Sequence, residues 1–302
     1  MPDSSRLSGH LAAFFTIFFW GTTFVFTKSL LASLSPVEIL FCRFALGYLA
    51  LLAIRPRRLK PEQPREEFLF AAAGLCGVTL YFLFENVALT FTLASNVGVI
   101  VAVSPLFTAL LAPRFLDGER PCARFFAGFA AAIAGVALVS WGGGGVALDL
   151  RGSLLALLAA LVWACYSILT RKIGALGYDN ILCTRRAFFY GLVFMIPALF
   201  LMDFHPTLAV LLRPANLGGL LYLGLGASAA CFVTWGFAVR RLGAVATTVY
   251  IYLVPLVTVA ASALVLGERP TPAALFGMAL ILAGLFLSEK RGGQPKEKEM
   301  AA

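Results

Sequence analysis

The chain has 302 residues, of which 60% are hydrophobic and only 13% charged, with a formal net charge of +9 and a mean hydropathy of +0.90. A soluble domain carries about 25% charged residues, so the composition excludes an ordinary water-soluble fold and points to a chain surrounded mostly by lipid. The basic excess needs no nucleic-acid partner: Lys and Arg collect between apolar runs, where an anionic inner leaflet accounts for them.

A helix that crosses a hydrocarbon core of about 30 Å takes about 20 apolar residues. Ten such runs follow one another, at 11–31, 37–54, 68–88, 93–113, 122–141, 152–172, 180–201, 215–238, 243–266 and 271–288. The first contains Lys28 and has no small-x-small cleavage site, so it reads as a membrane helix and not as a removed signal peptide. The runs are continuous and about twice the length of the alternating strands of a membrane barrel. The expected fold is therefore all-α: a polytopic membrane protein of ten transmembrane helices. Pro105, Pro197 and Pro255 fall inside runs and predict kinks. Gly128 with Ala132, Ala131 with Gly135, and Gly277 with Gly284 predict close helix packing.

The second half repeats the first. Ala94-Ser95-Asn96-Val97, Pro105-Leu106 and Gly118-Glu119-Arg120 return as Ala244-Val245-Ala246-Thr247, Pro255-Leu256 and Gly267-Glu268-Arg269, with the prolines 150 residues apart. Trp20 and Lys28 return as Trp163 and Arg171, and Arg43 as Arg186, at an offset of 143. Five spans per half is an odd number, so the second repeat enters the membrane from the other side and the two are inverted, as in many carriers. The expected organisation is a first five-helix repeat over 1–141, a Gly-rich linker over 142–151, a second repeat over 152–288 and a basic tail over 289–302. Gly142 to Gly145 is not a phosphate loop, because Val146-Ala147-Leu148 follows it and no Lys-Ser or Lys-Thr does. If the N-terminus is cytoplasmic, the inner segments hold most of the Lys and Arg while the outer loops hold only Arg151, Arg213 and Arg269, which predicts both termini inside.

The six cysteines are scattered without a Cys-x-x-Cys pair, and His10 and His205 lie far apart at predicted surfaces. Buried small hydrophobes explain the cysteines, and no metal and no cofactor is expected.

Charges inside spans are costly and commonly pair or face water. Glu85 is the foremost: as a functional group it would bind a substrate ammonium or a coupling proton, and as a structural one it would pair with a nearby base. Lys28, Glu38 and Arg43 fall near one boundary and Arg186 near the other, which makes them candidate gates; headgroup-seeking side chains are the plainer alternative. Pro105 and Pro255 are candidate hinges, each freeing a carbonyl four residues earlier. Trp20 and Trp163 sit mid-span at equivalent positions, where a cavity wall is expected. Tyr81, Tyr166, Trp235 and Tyr252 add apolar bodies with polar handles, and Thr23, Asn86, Asn96 and Thr248 are candidate hydrogen-bonding groups. Glu119 and Glu268 read as turn carboxylates capping the next helix.

The duplicated set resembles the EamA branch of the drug/metabolite transporter superfamily over residues 11–288: Trp20-Gly21 with Lys28, Pro36 and Arg43, Phe84-Glu85-Asn86, Pro105-Leu106, Gly118-Glu119-Arg120, Gly128 and Gly135, and their counterparts in the second half. The halves differ where Phe82-Leu83-Phe84-Glu85-Asn86 faces Phe232-Val233-Thr234-Trp235-Gly236. The resemblance implies a central cavity between the halves and export of small metabolites such as amino acids across the bacterial inner membrane. The partners it implies are a small-molecule substrate and the lipid bilayer, with proton coupling and the choice of monomer or homodimer left open. An intramembrane enzyme is the weaker alternative, since no Gly-x-Ser-x-Gly, embedded Asp pair or mid-span His occurs. A non-transporting sensor or scaffold is the other.

Overall fold

The computed structural model describes residues 3–115, 123–141, 150–242 and 249–288. Among them every regular element is helical. We number the membrane helices α1 (Asp3–Leu30), α2 (Pro36–Ile54), α3 (Pro64–Phe91), α4 (Ala94–Phe115), α5 (Ala123–Trp141), α6 (Leu150–Gly174), α7 (Asn180–Leu201), α8 (Pro214–Ala238), α9 (Tyr250–Val265) and α10 (Pro272–Ser288). Seven are long and apolar enough to cross a membrane, and α5, α9 and α10 are shorter apolar helices. The chain is an all-helical, multi-pass membrane protein. The linker 142–149 and the tail from 289 lie outside the described residues.

Helix starts follow from local sequence. Ser35 and Glu38 form a reciprocal capping box on α2, with Pro36 in the first turn. Asp179 caps α7 by accepting from the backbone N–H of Ile181 at 2.9 Å and of Leu182 at 3.3 Å. The kink expected at Pro105 is a full break: α4 stops at Val101, turns through Ala102 and Val103, and restarts at Ser104. Pro255 likewise stands in the first turn of a segment that begins at Val254, after the 3₁₀ turn Val249–Leu253. Wide π-helical turns occupy Leu75–Leu80 of α3 and Tyr222–Ala230 of α8, which overlap once shifted by 150 residues.

Glycine contacts fix the register of the repeat. A Cβ on Gly47 of α2 would lie 3.3 Å from the Ser228 Cβ and 3.2 Å from the Gly224 carbonyl oxygen. A Cβ on Gly191 of α7 would lie 2.5 Å from the Val78 Cβ and 3.2 Å from the Gly74 carbonyl oxygen. Gly224 and Ser228 stand 150 residues after Gly74 and Val78, while Gly191 stands 144 after Gly47. The α2–α7 offset is thus 144, and the spatial counterpart of Arg43 is Ala187. This corrects the expected Arg43–Arg186 equivalence: one residue is about 100° of helix rotation, enough to turn a side chain onto another face. The expected glycine packing of α5 on α10 is present, with a Cβ on Gly135 only 2.6 Å from the Gly277 carbonyl oxygen.

Candidate functional site

A cavity of about 570 Å³, its mouth included, lies near the middle of the bundle. The first five helices contribute Trp20, Thr23, Phe24, Arg43, Tyr81, Phe82, Glu85, Val101, Ala102 and Ser104, and the second five contribute Trp163, Phe232, Ile251 and Val254.

One wall is aromatic. Trp20 and Trp163 meet edge to face at 6.0 Å, Trp163 lies 4.7 Å from Tyr81, and Trp20 lies 5.9 Å from Phe232. The Trp20 indole N–H donates to the Ala227 carbonyl at 3.1 Å, which fixes the ring. Behind this layer stand Tyr166, 5.0 Å from Trp163, and Trp235, 5.2 Å from Trp20. These two sequence candidates support the wall without lining it.

The other pole is charged. Arg43 and Glu85 are each only 1% exposed. Arg43 Nε donates to Ser228 Oγ at 2.8 Å, and its guanidinium carbon sits 4.2 Å from the Phe82 ring centroid. Arg43 Nη1 and Glu85 Oε1 have no hydrogen-bond partner among the described residues. The electrostatic partners of Glu85 are Arg43 and Tyr81, yet Arg43 and Glu85 are farther apart than the 4.0 Å of an ion pair. Pro105 and Pro255 cannot donate to the carbonyls four residues earlier. Those carbonyls belong to Val101 and Ile251, both in the cavity lining.

Seven helices of membrane length, three shorter apolar ones, and a cavity lined from both halves of the chain are features that carriers made of repeats share. The EamA-like transporter family model matches residues 7–141 and 150–289. The chain belongs to the EamA-like transporter family. It is 32% identical over 277 residues to a Streptantibioticus cattleyicolor protein named "Probable terminal-alkyne amino-acid exporter", covering 91% of each chain. It is 28% identical to the Escherichia coli K12 "Probable amino-acid metabolite efflux pump", covering 94% of this chain and 95% of that one. An "Uncharacterized transporter" of Archaeoglobus fulgidus is 30% identical, with 94% of this chain and 98% of that one aligned. A solved crystal structure superposes with a TM-score of 0.65 at 22% identity, over 94% of this chain and 96% of that one, which shows a shared fold. This EamA-like chain is a transporter, and these three relatives are named for transport, export or efflux.

Of the sequence candidates, Trp20, Thr23, Tyr81, Glu85 and Trp163 line the cavity of this EamA-like protein, and Arg43, expected at a gate, joins them. The rest lie elsewhere. Asn86 donates to the Pro36 carbonyl at 3.1 Å. Asn96 donates to Thr92 Oγ1 at 3.2 Å and borders a narrower cleft with Ser95, Val259 and Met278. Tyr252 is buried 5.2 Å from Phe286. Thr248 lies outside the described residues. Lys28 Nζ donates to the Leu89 and Thr92 carbonyls and so closes the end of α3. Glu38 holds its capping box and accepts from the His205 N–H at 3.0 Å. Arg186 pairs with Glu67 at 2.5 Å, and Tyr190 donates to the same carboxylate.

Glu268 does not cap the next helix, as its turn suggested. It crosses to α4 and accepts from Ala94 N at 2.8 Å, Ser95 N at 3.0 Å and Ser95 Oγ at 2.7 Å, while Thr271 caps α10. A free helix N-terminus in the other half attracts a carboxylate more strongly than one already capped by a hydroxyl. Glu119 lies outside the described residues. Sequence reasoning missed Ser228, Phe24, Phe82 and Phe232. The phenylalanines carried a signal, because Phe82 and Phe232 head the two segments aligned at an offset of 150. Ser228 carried only that of a lone hydroxyl in an apolar run.

Proposed function

We propose that this protein exports small organic metabolites, amino acids and among them aromatic or branched ones foremost, across the bacterial inner membrane by alternating access. The observation that supports this best is the central cavity, where a buried guanidinium and carboxylate face an aromatic wall. The relatives named as amino-acid exporters or efflux pumps support the direction and the substrate class. In this reading the repeats over 1–141 and 152–288 rock about the cavity, joined by the linker 142–151. Both termini and the basic tail 289–302 face the cytoplasm, as the distribution of Lys and Arg favours. The substrate meets Trp20, Thr23, Tyr81, Glu85 and Trp163.

Counterflow into liposomes carrying the purified protein tests it. Saturable exchange of labelled phenylalanine or leucine is the expected result. Exchange of nucleosides or simple amines alone overturns the amino-acid reading, and no exchange of any solute by folded protein favours a sensor.

A further inference from the structure

Two ionised groups taken out of water are stable only when matched by counter-charge and hydrogen bonds. Arg43 is matched on one side only: Nε is held by Ser228 and the guanidinium plane by Phe82, while Nη1 has no partner among the described residues. Glu85, which lines the same cavity, has a buried Oε1 with no hydrogen-bond partner among the described residues. The two do not close on each other within 4.0 Å. Ser228 and Phe82 thus hold the guanidinium in place while leaving Nη1 without a partner among the described residues.

We infer that Arg43 and Glu85 read the two charges of one dipolar substrate, Arg43 Nη1 binding its carboxylate and Glu85 Oε1 its ammonium. This rests on the cavity being the transport site proposed above, and it names how that site recognises its cargo. A lone amine leaves Arg43 buried without an anion, and a lone acid leaves Glu85 buried without a cation. Specificity arises from those penalties as much as from attraction. The Val101 and Ile251 carbonyls and the Tyr81 hydroxyl are further polar groups for the ammonium. Trp163 and Phe232, from the other half, take the apolar side chain.

The test pairs charge-deleted proteins with charge-deleted ligands. Wild type, Glu85→Gln and Arg43→Gln are titrated in detergent with phenylalanine, 3-phenylpropionate and phenethylamine, and with leucine, 4-methylpentanoate and 3-methylbutylamine, following tryptophan fluorescence. Wild type should prefer each amino acid over its one-charge analogues by at least about 30-fold, as for a buried charge left unpaired. Glu85→Gln should lose the preference over the acid and keep that over the amine. Arg43→Gln should do the reverse. Equal weakening of all ligands by both variants, or no weakening, overturns the inference and makes the two a structural pair. Should either variant fail to fold, Glu85→Asp and Arg43→Lys keep the charges, and they must retain the amino-acid preference. Amino-acid counterflow without the matched pattern sinks this inference alone. Absence of amino-acid binding and flux from wild type sinks it together with the proposed function.

Discussion

The same helix crossing occurs twice in this molecule and does different chemistry each time. Where α2 meets α8, Gly47 packs on Gly224 and Ser228, and Arg43 reaches into the cavity with its Nε on the Ser228 hydroxyl. Where α7 meets α3, Gly191 packs on Gly74 and Val78, and the place of Arg43 is taken by Ala187. Glu85 has Trp235 as its counterpart at the offset of 150. Backbone contacts are therefore shared between the crossings, while both charges that line the cavity stand in one half. Close glycine contacts tolerate no Cβ and resist divergence on either side. A side chain facing a cavity has no such neighbour, so one copy can become charged and its mirror apolar. Scaffold substitutions should consequently act in matched pairs, and cavity substitutions should not.

The largest effect tests the shared part. In Gly74→Val the new Cβ would stand 2.5 Å from the Ala187 carbonyl oxygen and 2.7 Å from Gly191 N. In Gly224→Val it would stand 3.0 Å from the Arg43 carbonyl oxygen and 2.7 Å from the Leu46 Cβ. Backbone atoms and a Cβ fixed to its backbone cannot step aside, so each variant should lose about 3 kcal/mol, the upper end of the usual overpacking cost. Melting followed by fluorescence-detected size exclusion should show both falling together. A large loss from one and none from the other would break the symmetry of the scaffold.

Next in size is the divergent part. Ser228→Val copies the mirror crossing, where Val78 already sits against Gly191. It removes the hydrogen bond to the guanidinium, worth about 1.5–3 kcal/mol for a charged partner. KM for the transported amino acid should rise about tenfold or more. The mirror change Val78→Ser should lower stability by about 1 kcal/mol through lost apolar burial, with KM unchanged. Equal KM shifts in both would mean that the Ser228–Arg43 contact has no part in the site.

The helices and their duplication were readable because apolar length and repeated Pro, Trp and Gly are properties of the string itself. The charged pole was only half readable. Glu85 stands out as an acid in an apolar run, but Arg43 was matched to Arg186 through a one-residue slip that identical residue types invite. Only the glycine contacts set the register at 144. Glu268 was misread for a related reason: a turn shows which group is available, not which helix end lies opposite. Its reach to Ala94 and Ser95 ties the second half to the first, with Lys28 in electrostatic range. Glu268→Gln keeps an acceptor and removes the charge, and should lower stability by about 0.3–1 kcal/mol. Glu268→Ala should lower it further, and equality of the two would assign the whole contribution to the charge.

The smallest effect separates residues that face the cavity from residues with something to offer it. Thr23 lines the cavity, and its hydroxyl makes it a tempting ligand group. That hydroxyl already donates to the Trp20 carbonyl at 2.7 Å, one turn back on α1. Its proton is thus committed, and only a lone pair remains for a ligand, beside a carboxylate that attracts an ammonium far more strongly. Thr23→Val keeps the branched shape and removes a bond that helices make at little net gain. KM in the counterflow assay should change by less than about twofold, and melting by less than about 0.5 kcal/mol. A tenfold rise in KM would instead make the Thr23 lone pair part of the ammonium site, moving recognition from the Arg43 and Glu85 crossing toward α1.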